Sequence, residues 1–346
     1  MVMISILDQT LIFDDTSAAE TIQESVILAQ AAERLGYQRF WVVEYHNCGM
    51  IASASPEILL AAIGAHTSRL RIGAGAILLT YYSPLKLAEN FHLLEALYPG
   101  RIDLGIGRNM GSLSHLCRQL LNPQSREWRI ENYTTKAQEL MCFLDGTFPV
   151  HHPYQNIPVV PEEINAPEIW MMSSHEDVAQ VAGMQGLPFC LVHFVTSTQD
   201  VQIVDEYRQH FQAGRIEKPH VAVAVQVFCA DSEEEALDLS QRYCLLLMKR
   251  EREKQEKGLT DAQMRYPSAQ ELAHYRIAEQ DRALPYGPFP IIVGNPYQVK
   301  EQLEQIVACY DADELMLTTI FPDVHARLHS YELLAEAFAL TTPSFL

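Results

Sequence analysis

The sequence predicts an α/β fold of the (β/α)8 type, a TIM barrel formed by residues 1–346 as a single domain. Two observations lead to this prediction: apolar runs of strand length recur along the chain, and amphipathic stretches of helix length separate most of them. A doubly wound parallel sheet with an appended domain is the alternative that the same pattern allows. The eight apolar runs are Met3–Asp8, Arg39–Glu44, Leu70–Leu79, Ile102–Gly107, Ile169–Ser173, Phe189–Phe194, Val221–Cys229 and Glu314–Ile320.

The stretches between the strands carry helix start and stop signals. In Ser17–Leu35 the apolar residues recur at near-helical spacing, and Gly36 follows as a C-terminal stop. Pro56 and Pro84 each follow a serine, which places them in the first turn of a helix, where proline is favoured. The helix that begins at Pro84 is expected to end before the turn Tyr98–Arg101.

Residues 249–290 interrupt the alternation of strands and helices. This segment begins with the polar run KREREKQEK and ends with the proline- and glycine-rich LPYGPFP. In a barrel it would form an insertion between the seventh and the eighth strand, and long insertions in compact domains are often active-site lids. We therefore expect a lid over the active site, with a solvated helical excursion as the alternative.

The charge balance restricts the partners of this chain. Lys and Arg number 25 against 44 Asp and Glu, which gives a net charge of −19. Because nucleic acids and anionic membranes are bound through a surplus of basic residues, we expect neither as a partner. A local basic pocket for a single phosphate group is compatible with this charge.

Cysteine usage and hydropathy predict a cytoplasmic location. The seven cysteines include no C-x-x-C pair, so neither a disulfide framework nor a metal site of standard spacing is expected. The N-terminus lacks the pattern of a signal peptide, and the chain contains no run of about 18 apolar residues.

Polar residues and glycines collect where the predicted strands end, which in a TIM barrel is the face that holds the active site. A histidine at such a position is often only a hydrogen-bonded structural residue. Arg108 could likewise form an ion pair with Asp103 or Glu95. The strand ends are Leu7-Asp8, Glu44-Tyr45-His46, Gly75-Ala76, Gly107-Arg108, Ser173-Ser174-His175 and His193.

Two of these strand ends allow two interpretations each. Gly73–Ala76 contains small residues that either permit close packing or let a flat ring approach the backbone. Ser173–Asp177 precedes the helical run Val178–Gln185, and serine hydroxyls with free N–H groups at a helix start form an anion site. Ser and Asp are equally good helix N-caps, and the carboxylates of Glu176 and Asp177 favour that second interpretation.

Several well-known catalytic and nucleotide-binding motifs are absent from the sequence. No G-x-G-x-x-G follows a predicted strand, and no G-x-x-x-x-G-K-[ST] is present, which disfavours a Rossmann site and excludes a P-loop. The G-x-S-x-G elbow of α/β-hydrolases is also missing. The residues alone therefore predict a small-molecule enzyme built on a barrel and do not identify its reaction.

Motifs in order along nearly the whole chain resemble the bacterial luciferase-like, flavin-dependent monooxygenase family. The resemblance implies a (β/α)8 barrel with an insertion after the seventh strand, in agreement with the pattern of strands and helices. The segments that carry it are Trp41–Asn47, Thr67–Gly75, Ser83–Leu85, Leu97–Arg108, Phe143–Pro149, Gly186–Phe189, His193–Phe194, Ala312–Met316 and Arg327–Phe338.

The resemblance implies a set of cofactor-binding residues. Gly75-Ala76 matches the end of the third strand, where the family often has a non-prolyl cis peptide beneath the flavin ring. Arg108 matches the arginine that reaches the flavin phosphate, and Ser174 and His175 match positions of the phosphate cup. The family's phosphate cup usually carries neutral or Ser/Thr side chains where this chain has Glu176, Asp177 and Val178, and this departure from the family predicts weakly or loosely bound FMN.

The resemblance also implies a catalytic group. Glu44 and His46 match two residues of the family pattern W-x-x-E-H-H, and Tyr45 stands where a histidine assists the chemistry in luciferase itself. A tyrosine with an ordinary pKa of about 10 is a poor base at neutral pH but a good hydrogen-bond donor. We therefore expect Glu44, Tyr45 and His46 to shape the oxygen or substrate side of the site.

As a family member, the chain is expected to be an oxidoreductase that uses reduced FMN and O₂ to oxidise a small organic substrate through a flavin C4a-hydroperoxide. The resemblance implies a separate NAD(P)H flavin reductase as partner and a homodimer, and it makes the deazaflavin F420 the less favoured cofactor. An alternative of another class is a non-catalytic family member that serves as a partner subunit or flavin-binding protein; Tyr45 and the acidic cup motivate it.

Overall fold

Eight parallel strands close into a barrel surrounded by helices, which confirms the predicted TIM barrel. The computed structural model describes residues 2–108, 130–195, 201–260, 263–275, 290–321 and 323–340. Barrel strands pair in the order β1-β2-β3-β4-β5-β6-β7-β9, and β9 pairs again with β1 to close the ring. The described strands are β1 (Met3–Asp8), β2 (Arg39–Val42), β3 (Arg71–Leu78), β4 (Ile102–Gly107), β5 (Glu168–Ser173), β6 (Phe189–Val192), β7 (Val221–Cys229), β8 (Ile291–Gly294) and β9 (Glu314–Thr318).

The predicted helix signals are found at helix ends. Ser17 accepts a hydrogen bond from the N–H of Glu20 in a capping box, and Gly36 ends the same helix with a φ of 86°. Pro56 and Pro84 occupy the first turns of their helices. The described helices are α1 (Ala18–Leu35), α2 (Pro56–His66), α3 (Pro84–Leu97), α4 (Ile130–Asp145), α5 (Glu176–Met184), α6 (Val201–Gln209), α7 (Glu233–Lys257), α8 (Ala269–His274), α9 (Pro296–Tyr310) and α10 (Val324–Ala337).

The strand β8 does not correspond to any of the eight apolar runs. It pairs in parallel with Gln226–Cys229 of β7, largely beyond the part of β7 that pairs within the barrel. With only four residues, and directly after a proline-rich segment, it has no periodicity that distinguishes it from a loop. The predicted sixth strand also ends early, at Val192, because His193–Val195 form a 3-10 turn.

The predicted insertion is partly helical and partly attached to the loop that follows β1. Its expected first residue, Lys249, lies inside α7. The N–H of Tyr266 donates to the carbonyl of Ile12 at 3.1 Å, and the carbonyl of Tyr266 accepts from the N–H of Asp14 at 3.0 Å. Residues 276–289 of the insertion lie outside the described residues.

Charged side chains fill the amino-terminal end of the barrel. Arg39 of β2 forms ion pairs with Asp103 of β4 at 3.2 Å and Glu168 of β5 at 3.4 Å, and it also pairs with Glu314 of β9. Its guanidinium lies 5.0 Å from the ring centre of Trp170. Because β2 is adjacent to none of these strands, Arg39 must cross the barrel interior. Ion-paired side chains therefore occupy the barrel interior at this end.

Candidate active site

A cavity of about 170 Å³ lies at the carboxyl ends of the strands. Every barrel strand contributes to its lining, in the case of β2 through the residue that follows the strand. This convergence explains why the site cannot be read from one segment of the sequence. One lining residue from each strand in turn is Leu7, Val43, Gly75, Gly107, Met172, Cys190, Ala224 and Met316.

The cavity brings together most of the residues that the sequence analysis singled out. Seven of the eight predicted site residues line it, namely Glu44, Tyr45, Gly75, Ala76, Arg108, Ser174 and His175. His46 is not among the described lining residues; its Nε2 lies 2.6 Å from Oε1 of Glu44. His46 is therefore connected to the cavity through Glu44.

The Glu44 carboxylate is held by three hydrogen-bonding groups. The residue Glu44 is 2% exposed, and it lies two residues after Val42, the last residue of β2. One carboxylate oxygen accepts from the N–H of Leu78 at 2.9 Å, and the other accepts from the hydroxyl of Tyr82 at 2.7 Å and contacts His46. A buried carboxylate with this many partners has a fixed orientation.

Tyr82 is a site residue that sequence reasoning missed. Burial, together with the Glu44 charge that its hydroxyl faces, raises the pKa of Tyr82 far above its ordinary value. The phenol therefore remains a proton donor to Glu44. The available signal was a tyrosine directly before the Ser83-Pro84 helix start, beyond the end of the third strand.

Tyr45 keeps its proton at neutral pH. Burial, and to a smaller extent the neighbouring Tyr266 and Cys48, raises the pKa of Tyr45 well above its ordinary value. Its N–H donates to the carbonyl of Ser53 at 2.9 Å, which fixes the backbone next to Glu44. Tyr45 can thus donate a hydrogen bond into the cavity and is unsuited to accept a proton as a base.

Close packing accounts for Gly73 and contributes at Gly75, where a Cβ would lie 3.2 Å from Leu7 and 3.3 Å from Trp41. A Cβ on Gly73 would lie 2.4 Å from a ring carbon of Trp41, so this position requires glycine for packing. Gly75 and Ala76 line the cavity, and the peptide bond between them is cis.

The N-cap position of α5 holds neither a serine nor an aspartate, although Ser173 and Asp177 both accept from backbone N–H groups beside it. His175 is the N-cap residue, and its side chain makes no capping hydrogen bond. Ser173 Oγ accepts from the N–H of His175 at 3.1 Å, and Asp177 Oδ1 accepts from the N–H of Val178 at 2.8 Å. Ser174 and His175 are thus left facing the cavity.

Arg108 pairs with Asp177, which is 69 residues away in the sequence. Its Nη1 donates to both carboxylate oxygens of Asp177, at 2.8 and 3.0 Å. The two partners considered from the sequence are engaged elsewhere: Asp103 bonds Arg39 in the barrel floor, and Glu95 accepts from a backbone N–H. The ion pair expected as an alternative for Arg108 therefore exists, with a different carboxylate.

The distribution of polar groups around the cavity fits a flat ring that carries an anionic tail. Most lining residues are apolar. The first set of polar residues follows β2 and consists of Glu44 and Tyr45. The second set follows β4 and β5 and consists of Arg108, Ser174 and His175. Cationic and hydroxyl donors beside a helix N-terminus are suited to a phosphate, and the apolar part between the two polar groups suits an aromatic ring. FMN combines these two features.

Among the helices in the described part of the chain, none combines the length and the hydropathy that crossing a lipid bilayer requires. In the same residues, no group of three or more His, Cys, Asp or Glu side chains is arranged to hold a metal ion.

The fold and the site together define a TIM-barrel protein with a small-molecule site at the carboxyl ends of its strands. The sequence profile described as luciferase-like monooxygenase matches residues 3–311. The chain therefore belongs to the luciferase-like monooxygenase family.

Similar proteins span almost the whole chain. A luciferase-like monooxygenase of Escherichia coli (strain K12) is 33% identical over 95% of each chain. An N-acetyl-S-alkylcysteine monooxygenase of Bacillus subtilis (strain 168) is also 33% identical, over 97% of this chain and 98% of the relative. The crystal structure of apo-MsnO8 has a TM-score of 0.86 at 33% identity and covers 99% of both chains.

More distant solved structures share the fold alone. They include the oxygenating constituent of a 3,6-diketocamphane monooxygenase of Pseudomonas putida in complex with FMN, with a TM-score of 0.69 and 18% identity. An F420-dependent secondary alcohol dehydrogenase has a TM-score of 0.66 at 13% identity. Flavins and deazaflavins thus both bind to barrels of this shape.

Proposed function

We propose that this chain is a flavin-dependent monooxygenase that uses reduced FMN and O₂ to oxidise a small organic substrate. The observation that carries the proposal is the cavity at the barrel mouth, in which an apolar lining adjoins the cation and hydroxyl groups of Arg108 and Ser174. Membership of the luciferase-like monooxygenase family supports the same reaction class.

In this proposal the cofactor lies between the two polar groups of the cavity. Arg108, Ser174 and His175 would hold the phosphate, and the Gly75-Ala76 peptide would contact the flavin ring. Reduced FMN, when bound, supplies the two electrons with which one oxygen atom of O₂ enters the substrate and the other becomes water. The apolar lining keeps bulk water away from the reacting atoms.

Glu44, Tyr45 and His46 serve the oxygen or substrate side. Tyr45 donates a hydrogen bond, because its raised pKa keeps the hydroxyl protonated. Glu44 fixes the end of β2 beside the end of β3 through Leu78 and Tyr82. His46 is a positioning residue that acts through its contact with Glu44.

The proposal includes a lid and two protein partners. The insertion predicted at residues 249–290 serves as the lid in this proposal; among its described residues beyond α7, Tyr266 contacts the loop after β1. A separate NAD(P)H flavin reductase supplies the reduced cofactor, and the chain acts as a homodimer. FMN is favoured over F420 as the cofactor.

One observation favours the second candidate, a non-catalytic partner subunit or flavin-binding protein. The guanidinium that would hold the phosphate is engaged by Asp177. A chain that bound flavin in neither redox state would fit a partner subunit, whereas a chain that bound flavin without consuming O₂ would fit a flavin-binding protein.

An anaerobic titration with oxidised and photoreduced FMN, followed by admission of O₂, separates the two candidates. A monooxygenase is expected to bind at least the reduced form and to consume O₂ with an oxygenated product when substrate is present. Binding of neither redox state would contradict the proposal. N-acetyl-S-alkylcysteines belong in the first substrate panel, because a relative at 33% identity carries that name.

A further inference from the structure

The Asp177 carboxylate occupies an anion position at the start of α5. It accepts from Nη1 of Arg108 through both oxygens, and its Oδ1 also accepts from the N–H of Val178 in the first helical turn. A guanidinium and a helix N-terminal N–H are the donors that proteins use to bind phosphate. In this structure both kinds of donor hold a carboxylate that belongs to the protein itself.

This arrangement lies at the edge of the cavity and not deep in the core. Arg108 lines the cavity, and its side chain is 19% exposed, whereas that of Asp177 is 41% exposed. A carboxylate with this exposure can turn towards water when another anion takes its donors. Its negative charge nevertheless stays within a few ångströms of that anion, where repulsion persists.

We propose that Asp177 is a specificity-determining residue that competes with the flavin phosphate for Arg108. This inference rests on the proposed function, which places the phosphate at Arg108. Asp177 lowers the affinity for phosphate-bearing flavin and leaves the affinity for the ring unchanged. It thereby narrows the preference of the site for FMN over riboflavin and favours release of the flavin after each turnover.

The decisive measurement is the ratio of the dissociation constants of riboflavin and FMN, obtained from fluorescence titration of the oxidised ligands and from anaerobic titration of the reduced ligands. Riboflavin carries the same ring without the phosphate, so this ratio isolates the phosphate contribution. Asp177→Asn is expected to tighten FMN binding by about tenfold and to leave riboflavin binding unchanged. A tenfold change is the size expected when one carboxylate charge is removed near a phosphate in partly exposed surroundings.

Two control variants make the measurement specific. Glu176→Gln removes the same charge from the same helical turn, and because Glu176 is exposed it should change the ratio by much less than Asp177→Asn. Asp177→Ser also removes the carboxylate and keeps a side-chain oxygen for the N–H of Val178. It should show the same gain in FMN affinity as Asp177→Asn, which attributes the gain to the lost charge and not to a perturbed helix start.

The outcomes separate this inference from the proposed function. Arg108→Ala should weaken the binding of FMN and leave the binding of riboflavin unchanged. In the double variant it should also abolish the gain in FMN affinity that Asp177→Asn produces. If Arg108→Ala lowers the ratio but neither substitution of Asp177 raises it, the competition is refuted and the phosphate assignment stands. If Arg108→Ala leaves the ratio unchanged, the phosphate does not bind at Arg108. The phosphate assignment and the competition by Asp177 are then both overturned.

Discussion

The hydroxyl of Tyr82 donates to the carboxylate of Glu44 at 2.7 Å, which links the residues that follow β3 to the end of β2. Glu44 lines the cavity, whereas Tyr82 is not among the described lining residues. The orientation of a cavity carboxylate is therefore determined by a side chain one step further from the ligand. Such supporting contacts set the geometry of a site as firmly as the lining residues do.

Tyr82→Phe is expected to lower the free energy of unfolding by about 1–3 kcal/mol, because a hydrogen bond to a buried charged group is lost. Turnover should fall by about tenfold, since Glu44 is no longer fixed in one orientation. Urea unfolding and steady-state oxygen consumption measure the two effects. Tyr37→Phe is the matched control: its buried hydroxyl donates to the Tyr331 carbonyl at 2.8 Å, and its loss should reduce stability without reducing turnover.

Tyr45→Phe should leave folding and flavin affinity unchanged and should lower the fraction of consumed O₂ that appears in the organic product. The lost hydroxyl is the expected donor on the reacting side. Because the pKa of Tyr45 is raised by burial, this group should contribute no pH dependence between about pH 6 and 9. Tyr45→His should introduce one, since histidine titrates near pH 6.5 or so. If the fraction of consumed O₂ that appears in the product is the same in wild type and in Tyr45→Phe, Tyr45 does not belong to the catalytic group.

Gly105→Ala should destabilise the barrel by about 3 kcal/mol, because overpacking forces backbone or side chains to shift. Its Cβ would lie 2.3 Å from the carbonyl oxygen of Ala74. Gly107→Ala is the comparison: its Cβ would lie 3.3 Å from that of Ala76, so thermal unfolding should change little. Because Gly107 lines the cavity, that variant should instead weaken FMN binding.

The free energy of unfolding is expected to fall as the pH rises from about 4 to about 6, because Asp103 loses a proton in the folded state over this range. In the barrel floor the three carboxylates of Asp103, Glu168 and Glu314 face the two guanidiniums of Arg39 and Arg71. Burial raises the pKa of Asp103 to about 6, against the opposing effect of the two arginines. The folded state therefore binds a proton that the unfolded state has already lost in this range, and the associated stability is present at low pH.

The size of this effect should be on the order of 2 kcal/mol. It is measured as the difference in unfolding free energy between wild type and Asp103→Asn at pH 4.5, 5.5 and 6.5. The wild type should lose stability relative to the variant as the pH increases. A difference that is constant, or that grows in favour of wild type with rising pH, would contradict the prediction.

Much of the fold follows from local sequence patterns. The eight barrel strands coincide with apolar runs, because strands buried on both faces need continuous apolar residues. Gly36, Pro56 and Pro84 mark helix ends through backbone preferences that act within a few residues. The exception is β8, whose four residues are too few to show a pattern.

The candidate site was partly predictable for the same reason. Strand ends of a closed parallel barrel must converge at one face, so Glu44, Gly75 and Arg108 could be grouped before any distance was known. The distinction between Gly73 and Gly75 could not be made, because Trp41 lies against both glycines and only Gly75 also lines the cavity.

The sequence by itself determined the barrel, its strand ends and the types of side chain they present, because these depend on hydropathy and backbone preference over short spans. Only the tertiary structure decided which charges meet. The partner of Arg108 is Asp177 and not Asp103 or Glu95, and Glu44 receives the hydroxyl of Tyr82, 38 residues away. Such pairings depend on how strands and helices are placed around the ring, and no local pattern encodes that placement.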